Sequence, residues 1–319
     1  MKQQPTLFLS FHVESDAFYT NHDNFDSFKG FENALDFVQN TCDSAGQEVP
    51  VLWQFRCDPQ MDSYFGNPSY LFDKYHEKIS MLRKKADELG IHVHPFRNSG
   101  DAEVQDFDDK QWMNHCIEVS IKAFKNSMGY LPKSISIGHG ATYLEVVNFC
   151  RKQGLQFDFS LEYPVNIEFP TNNGKFLGRR EPGAIVKKSY YCPSEVDLFK
   201  SSSKKDYFMI PISRTAVAYR ISFLKKVKRV VKRQPLKRLI KLSLALHPEE
   251  FRLVINRQLR RKEIIVVDTR THVFRDPKKY RNAEENLRFL LSINKEKILI
   301  DTPVKYFENK LKANGISEN

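Results

Sequence analysis

No stretch of the 319 residues comes near the roughly 18 uncharged apolar residues that a membrane span requires. The five cysteines, Cys42, Cys57, Cys116, Cys150 and Cys192, are scattered and odd in number. None pairs with another at metal-site or redox spacing, which argues against a disulfide framework and for reduced thiols. The opening MKQQPTLFLSFHVESD carries one lysine, and its apolar run is broken at once by Ser10, His12 and Glu14, unlike a secretory leader. Internal repeats, low-complexity runs and clear linkers are also lacking. One cytoplasmic domain spanning 1–319 is therefore the expectation.

Acidic residues are scarce in one place only. From Arg220 to Lys262 there are fifteen lysines and arginines against two acids, Glu249 and Glu250, which leaves the rest of the chain slightly acidic despite a net charge of +11. The basicity thus belongs to a segment and not to the body of the protein. Within it, Phe223, Leu224, Val227, Val230 and Val231 recur at helical spacing among the cations, Pro235 interrupts, and Leu236, Leu239, Ile240 and Leu242 resume the pattern. Two inserted helices over 220–262 are expected. Residues 220–241 suit an anionic membrane surface, an acidic glycan or a lipid-linked pyrophosphate sugar, and equally a helix packed with a solvated charged face. No nucleic acid partner is expected, because aromatic interleaving and a recognised binding module are both missing.

The rest of the chain alternates short apolar runs with amphipathic ones. TLFLSFHVE reads as a strand, FENALDFVQNTCDSAG as a helix ending at Gly46, VPVLWQF as a strand, and PSYLFDKYHEKISMLRKKADELG as one helix opened by Pro68 and closed by Gly90. The beat continues through IHVHPF, KSISIG, QFDFS, DYFMIPIS, EIIVVD and KILID, with helices between and a last helix from Thr302. Seven or eight mainly parallel strands with crossover helices imply a single, partly irregular α/β barrel. Chemistry in such a barrel belongs at the carboxyl ends of the strands.

That is where the polar residues fall. His12, Glu14 and Asp16 alternate, so while the strand lasts they share a face, with Phe11 and Val13 opposite. A carboxylate beside an imidazole suits metal ligation or proton transfer. For Asp16 a frayed strand end is as good a reading. His92 and His94 stand two apart on the third strand, so both imidazoles project to one face, a known way to offer two nitrogens to zinc or a similar ion. One of them packed in the core with a backbone partner is the plain alternative. His272 shares parity with Asp268 and Arg270 if the strand in VVDTRTHVF runs on, and His139 lies between two glycines that permit a turn or a close ligand.

In order, these pieces resemble the polysaccharide deacetylase family, the NodB-homology carbohydrate esterases, from about Thr6 to Phe307. The resemblance rests on SFHVESD, EVPVLWQF, ELGIHVHPF, KSISIGHGATYLEVVNFCRKQGLQFDFSL, DYFMIPIS and VVDTRTHVF. It implies metal-dependent removal of an acetyl group from an N-acetylated sugar in cytoplasmic surface-polysaccharide precursor synthesis, on an amino-sugar or lipid-linked saccharide, at the inner membrane face. A divalent metal, zinc by preference, would be held by Glu14, His92 and His94. His12 or Asp16 would take a proton from water, His272 would return one to nitrogen, and His139 and Arg270 would contact substrate. The sequence departs from the family at three points. The paired aspartates are missing and His12 stands where the base aspartate would lie; Phe96 stands where the second metal histidine is common; and SISIGHGA lacks an arginine. A catalytically silent barrel that binds a saccharide or a partner therefore stays open, as does another metal-dependent amidohydrolase or phosphoesterase.

Overall fold

The computed structural model describes residues 4–16, 27–98, 103–138, 143–161, 176–177, 189–198, 200–218, 237–293 and 295–313. The strands are β1 (Thr6–Val13), β2 (Val51–Arg56), β3 (Glu88–Val93), β4 (Phe96–Asn98), β5 (Glu103–Asp106), β6 (Ser134–Ile137), β7 (Phe157–Asp158), β8 (Phe176–Leu177), β9 (Phe208–Met209), β10 (Arg214–Ala218), β11 (Lys237–Lys241), β12 (Ile264–Arg270) and β13 (Leu299–Ile300). The helices are α1 (Lys29–Ala45), α2 (Pro59–Phe65), α3 (Tyr70–Lys74), α4 (His76–Lys84), α5 (Lys110–Met128), α6 (Leu144–Lys152), α7 (Pro248–Leu259), α8 (Pro277–Ser292) and α9 (Pro303–Ala313).

The main sheet has eight parallel strands in the order β12-β1-β2-β3-β6-β7-β9, with β13 joining at the start of β1. Helices cover its outer face, giving a partly open (β/α) barrel. The two faces of each strand divide cleanly. Leu7, Leu9, Phe11 and Val13 of β1 pack with Val51, Trp53, Phe55, Ile91, Val93, Ile265 and Val267 in the large core beneath the helices. The other parity, Phe8, Leu52, Ile264 and Val266, meets Phe157, Phe208, Tyr306 and Phe307 in a second apolar cluster. Further along those same strands the inward residues turn polar: Ser10, His12, Gln54, Arg56, His92, Ser136 and Asp268, every one of them buried. Period 2 therefore builds an apolar plug at the amino ends and a polar chamber at the carboxyl ends.

Among the described residues no ladder joins β9 to β12. Instead, irregular chain runs alongside β12: Val266 donates to Ser213 Oγ at 2.9 Å, Asp268 N–H to the Leu242 carbonyl at 3.0 Å, and Leu244 N–H to Thr269 Oγ1 at 3.0 Å. A separate antiparallel ribbon, β10 with β11, begins and ends beside this seam.

Two expectations are corrected. The single helix over 68–90 is α3 and α4, and it ends at Lys84; Glu88, Leu89 and Gly90 already pair with Leu52, Trp53 and Gln54. Gly90 is not a helix stop. A Cβ there would lie 2.7 Å from the Ser134 carbonyl, so the glycine lets β6 approach β3. The second expected helix of the basic segment is strand β11, because pairing with β10 overrides a short apolar spacing that fits either element. The first expected helix, and most of the stretch considered for a membrane surface, lie outside the described residues. No helix among the described residues is long and apolar enough to cross a membrane, and all five cysteines are buried free thiols.

Where β3 begins, Glu88 accepts from Ser134 Oγ and, at 3.0 Å, from Val304 N–H. Burial pushes its carboxyl up from 4.5 to about 7. The folded chain therefore holds a proton that the unfolded chain releases, and stability is lost as pH rises from about 4.5 through about 7. Glu88→Gln, which mimics the protonated acid, is expected to raise stability by on the order of 1–2 kcal/mol at pH 8. The gain should vanish below pH 4.5 in denaturant titrations; a gain independent of pH would contradict the assignment.

Candidate metal centre and active site

The polar chamber gathers side chains from the ends of five strands, β1, β2, β3, β6 and β12. His92 Nε2 lies 2.8 Å from Glu14 Oε1 and 3.0 Å from His94 Nε2, and His94 Nε2 lies 3.4 Å from the same Glu14 oxygen. All three residues are buried. The other nitrogen of each imidazole is committed as a donor. His92 Nδ1 is 2.6 Å from Ser136 Oγ and 3.2 Å from the Ser136 carbonyl, which can only accept. Ser136 in turn gives its hydroxyl proton to Gln54 Oε1. His94 Nδ1 donates to Gln105 Oε1 at 3.1 Å. Both Nε2 atoms are therefore left with lone pairs.

The charges agree with this reading. Burial drives the His92 and His94 imidazoles toward the neutral form, helped at His92 by the neighbouring His12 and at His94 by the Arg56 cation. Burial alone would raise the Glu14 carboxyl, but the Arg270 cation, with His272 beside it, holds it well below the usual carboxylate range. A carboxylate oxygen and two imidazole lone pairs thus converge with no proton among them. Such a set repels itself unless a cation sits within it, and it matches the nitrogen and oxygen donors that zinc takes at about 2.0–2.2 Å, with ligands roughly 3.3 Å apart. The donor set fits a divalent metal.

His94 stands just past β3 and is fixed by its surroundings. Its N–H donates to Asp58 Oδ2 at 3.0 Å. Asp58 is buried and gripped by Arg56, Nε to Oδ2 at 2.6 Å and Nη2 to Oδ1 at 2.9 Å, and it also caps α2 through Gln60 N–H. From the other side, a methyl group on Gly138 would fall onto the His94 ring.

His12 lies beside the triad but is bonded differently. It stacks on His92 with ring centroids 4.1 Å apart. Its Nε2 is 2.8 Å from Asp268 Oδ1, while its buried Nδ1 has no hydrogen-bond partner among the described residues. With the acceptor-only Asp268 on Nε2 and no acceptor on Nδ1, the proton belongs on Nε2 and Nδ1 is the bare atom; His92, at the same distance from Glu14, differs because its Nδ1 proton is already taken by the Ser136 carbonyl. His12, Glu14 and His92 also each offer a ligand atom within 4.8 Å of the others, so His12 borders the cluster. The other oxygen of Asp268, Oδ2, takes the Lys241 ammonium.

At the rim, His272 Nδ1 and Arg270 Nε stand 3.6 and 3.7 Å from Glu14 Oε2. For Asp16 the strand-end reading is the one that the structure shows. The strand ends at Val13, and the Asp16 carboxylate accepts from Ser27 Oγ at 2.6 Å and Gly30 N–H at 2.9 Å, anchoring the start of α1. His139 lies outside the described residues. The sequence reading gave no role to Asp268, Lys241, Ser136, Gln54, Gln105 or the Arg56–Asp58 pair. Inward parity marked Asp268, Gln54 and Ser136; the other partners come from across the fold.

Fold and site together define a (β/α) barrel with a metal-ready donor set at its carboxyl end. No protein-family model and no curated protein matches the chain by sequence. Solved structures match it by fold. A protein of Mycobacterium smegmatis described as a polysaccharide deacetylase superposes with a TM-score of 0.57 at 10% identity, covering 99% of this chain and 93% of that one. A protein of Pseudomonas aeruginosa PAO1 described in the same way gives 0.54 at 10% identity, and the PuuE allantoinase gives 0.55 at 8%, each with the same coverage. The chain has the fold of the polysaccharide deacetylases, as the sequence resemblance implied.

Gly138→Ala is expected to weaken metal binding by about 10–100-fold, the effect seen when support of a ligand is disturbed. Calorimetric titration with zinc is the check, and unchanged affinity would show that the His94 ring has room to move.

Proposed function

We propose that the chain is a divergent member of the polysaccharide deacetylase family, a metal-dependent hydrolase that removes the acetyl group from an N-acetylated sugar. The observation that carries this reading is the convergence of Glu14, His92 and His94 as three acceptors on a deacetylase fold. Two imidazoles and one carboxylate favour zinc among divalent ions.

An amide resists hydrolysis, so its carbonyl must be polarised, water must lose a proton and the leaving nitrogen must gain one. Glu14, His92 and His94 would hold the ion, whose Lewis acidity would polarise the carbonyl. His12 takes the proton from water at Nδ1, with Asp268 holding Nε2–H and so orienting the ring. An imidazole thus does what an aspartate does in the family, and its orienting partner is an acid, which removes the need for the family's arginine. His272, about a fifth exposed at the rim, returns a proton to nitrogen, and Arg270 faces the substrate beside it. The work is assigned to the cytoplasm, on an amino sugar of a surface-polysaccharide precursor, free or lipid-linked.

Acetate release from a panel of acetamido sugars, free and lipid-linked, tests the reading. The zinc-loaded chain should release acetate from at least one. His12→Gln and His272→Gln should each lower kcat by about 10²–10⁴-fold with bound metal retained. Binding of saccharide without any acetate release would favour the silent barrel.

A further inference from the structure

Through one described residue, Lys241, the basic stretch of the sequence reaches inward. Its described return strand, β11, ends at Lys241, and the next residue, Leu242, accepts from Asp268 N–H at 3.0 Å. That bond sets the register of the seam beside β12 and brings the Lys241 ammonium onto Asp268 Oδ2. The other oxygen, Oδ1, is the one 2.8 Å from His12 Nε2. Asp268 is almost fully buried, at 1% side-chain exposure, while Lys241 keeps 25%. Lysine, aspartate and histidine so form a line from solvent to the wall of the metal chamber, and His12 stacks on His92 at its end.

We propose that Lys241 is a positioning residue for His12: by occupying Oδ2 it fixes the Asp268 carboxylate with Oδ1 toward the imidazole, which keeps the proton on His12 Nε2 and leaves Nδ1 bare. A carboxylate can turn about its Cβ–Cγ bond, and a ring nitrogen's tautomer is set by the partner of the other nitrogen. An ammonium group on one oxygen removes that freedom. The strand carrying the basic stretch thereby contributes a residue to the site. The catalytic consequence rests on the role of His12 proposed above, but the geometry does not.

The test reads tautomers directly. Protein labelled with ¹⁵N-histidine, stripped of metal by chelation, is measured by long-range proton–nitrogen correlation, with His12→Gln identifying the His12 signals. Wild type and Lys241→Arg should show His12 as a single Nε2–H tautomer. Lys241→Met, with Lys241→Gln read in parallel in case the apolar variant fails to fold, should show a mixture of tautomers or the Nδ1–H form, while His92 and His94 stay as in wild type. An unchanged His12 in the folded neutral variant overturns the proposal, and so does Lys241→Arg behaving like Lys241→Met. Because the spectra are taken without metal, a failure of the metal reading leaves this result interpretable.

Discussion

Glu14 Oε1, His92 Nε2 and His94 Nε2 face one another across 2.8 to 3.4 Å with lone pairs on all three. The surrounding residues enforce this. Ser136 and Gln105 draw the imidazole protons to the far side of each ring, and burial removes the water that would otherwise separate the groups. Each acceptor pair costs energy until a cation arrives, so the barrel has to be stiff enough to hold them there. The buried Arg56–Asp58 pair under His94, and the close approach of Gly138 to its ring, supply that stiffness. Each is expensive to build in isolation and is explained by what it holds.

His12 shows how the same residue type takes another role a few ångströms away. His92 and His94 each donate through Nδ1 and present Nε2, whereas His12 donates through Nε2 to Asp268 and keeps Nδ1 bare. Partner placement decides this, and it divides ligands from the candidate base without appeal to a motif. A histidine standing where an aspartate is usual is therefore compatible with proton transfer, provided that its orienting partner is an acid.

Much of the fold and part of the site were legible in the sequence because both rest on local periodicity. Alternation put His12 on the inner face of β1 with Glu14 following on the same side just past its end, spacing two apart put His92 and His94 together, and the rule of carboxyl ends gathered them with His272. Legibility stopped where the deciding contact came from a distant segment. Gly90 read as a helix stop because its true neighbour, Ser134, is 44 residues away in sequence. Asp16 stayed open between strand and strand end because the contacts that hold it, Ser27 and Gly30, lie beyond the turn that follows β1. Strand β11 read as a helix because a run of five residues has no periodicity of its own until β10 lies beside it. The Lys241–Asp268 contact depends on that strand, so it was out of reach too.

The central claim, that Glu14, His92 and His94 hold a metal, is tested most directly by metal content. Native mass spectrometry of untagged protein, after exchange into zinc and removal of the excess, should give about one ion per chain for wild type. Glu14→Ala and the double variant His92→Ala/His94→Ala should give none while remaining folded. Zinc retained in the double variant, or absent from wild type after reconstitution, would contradict the account.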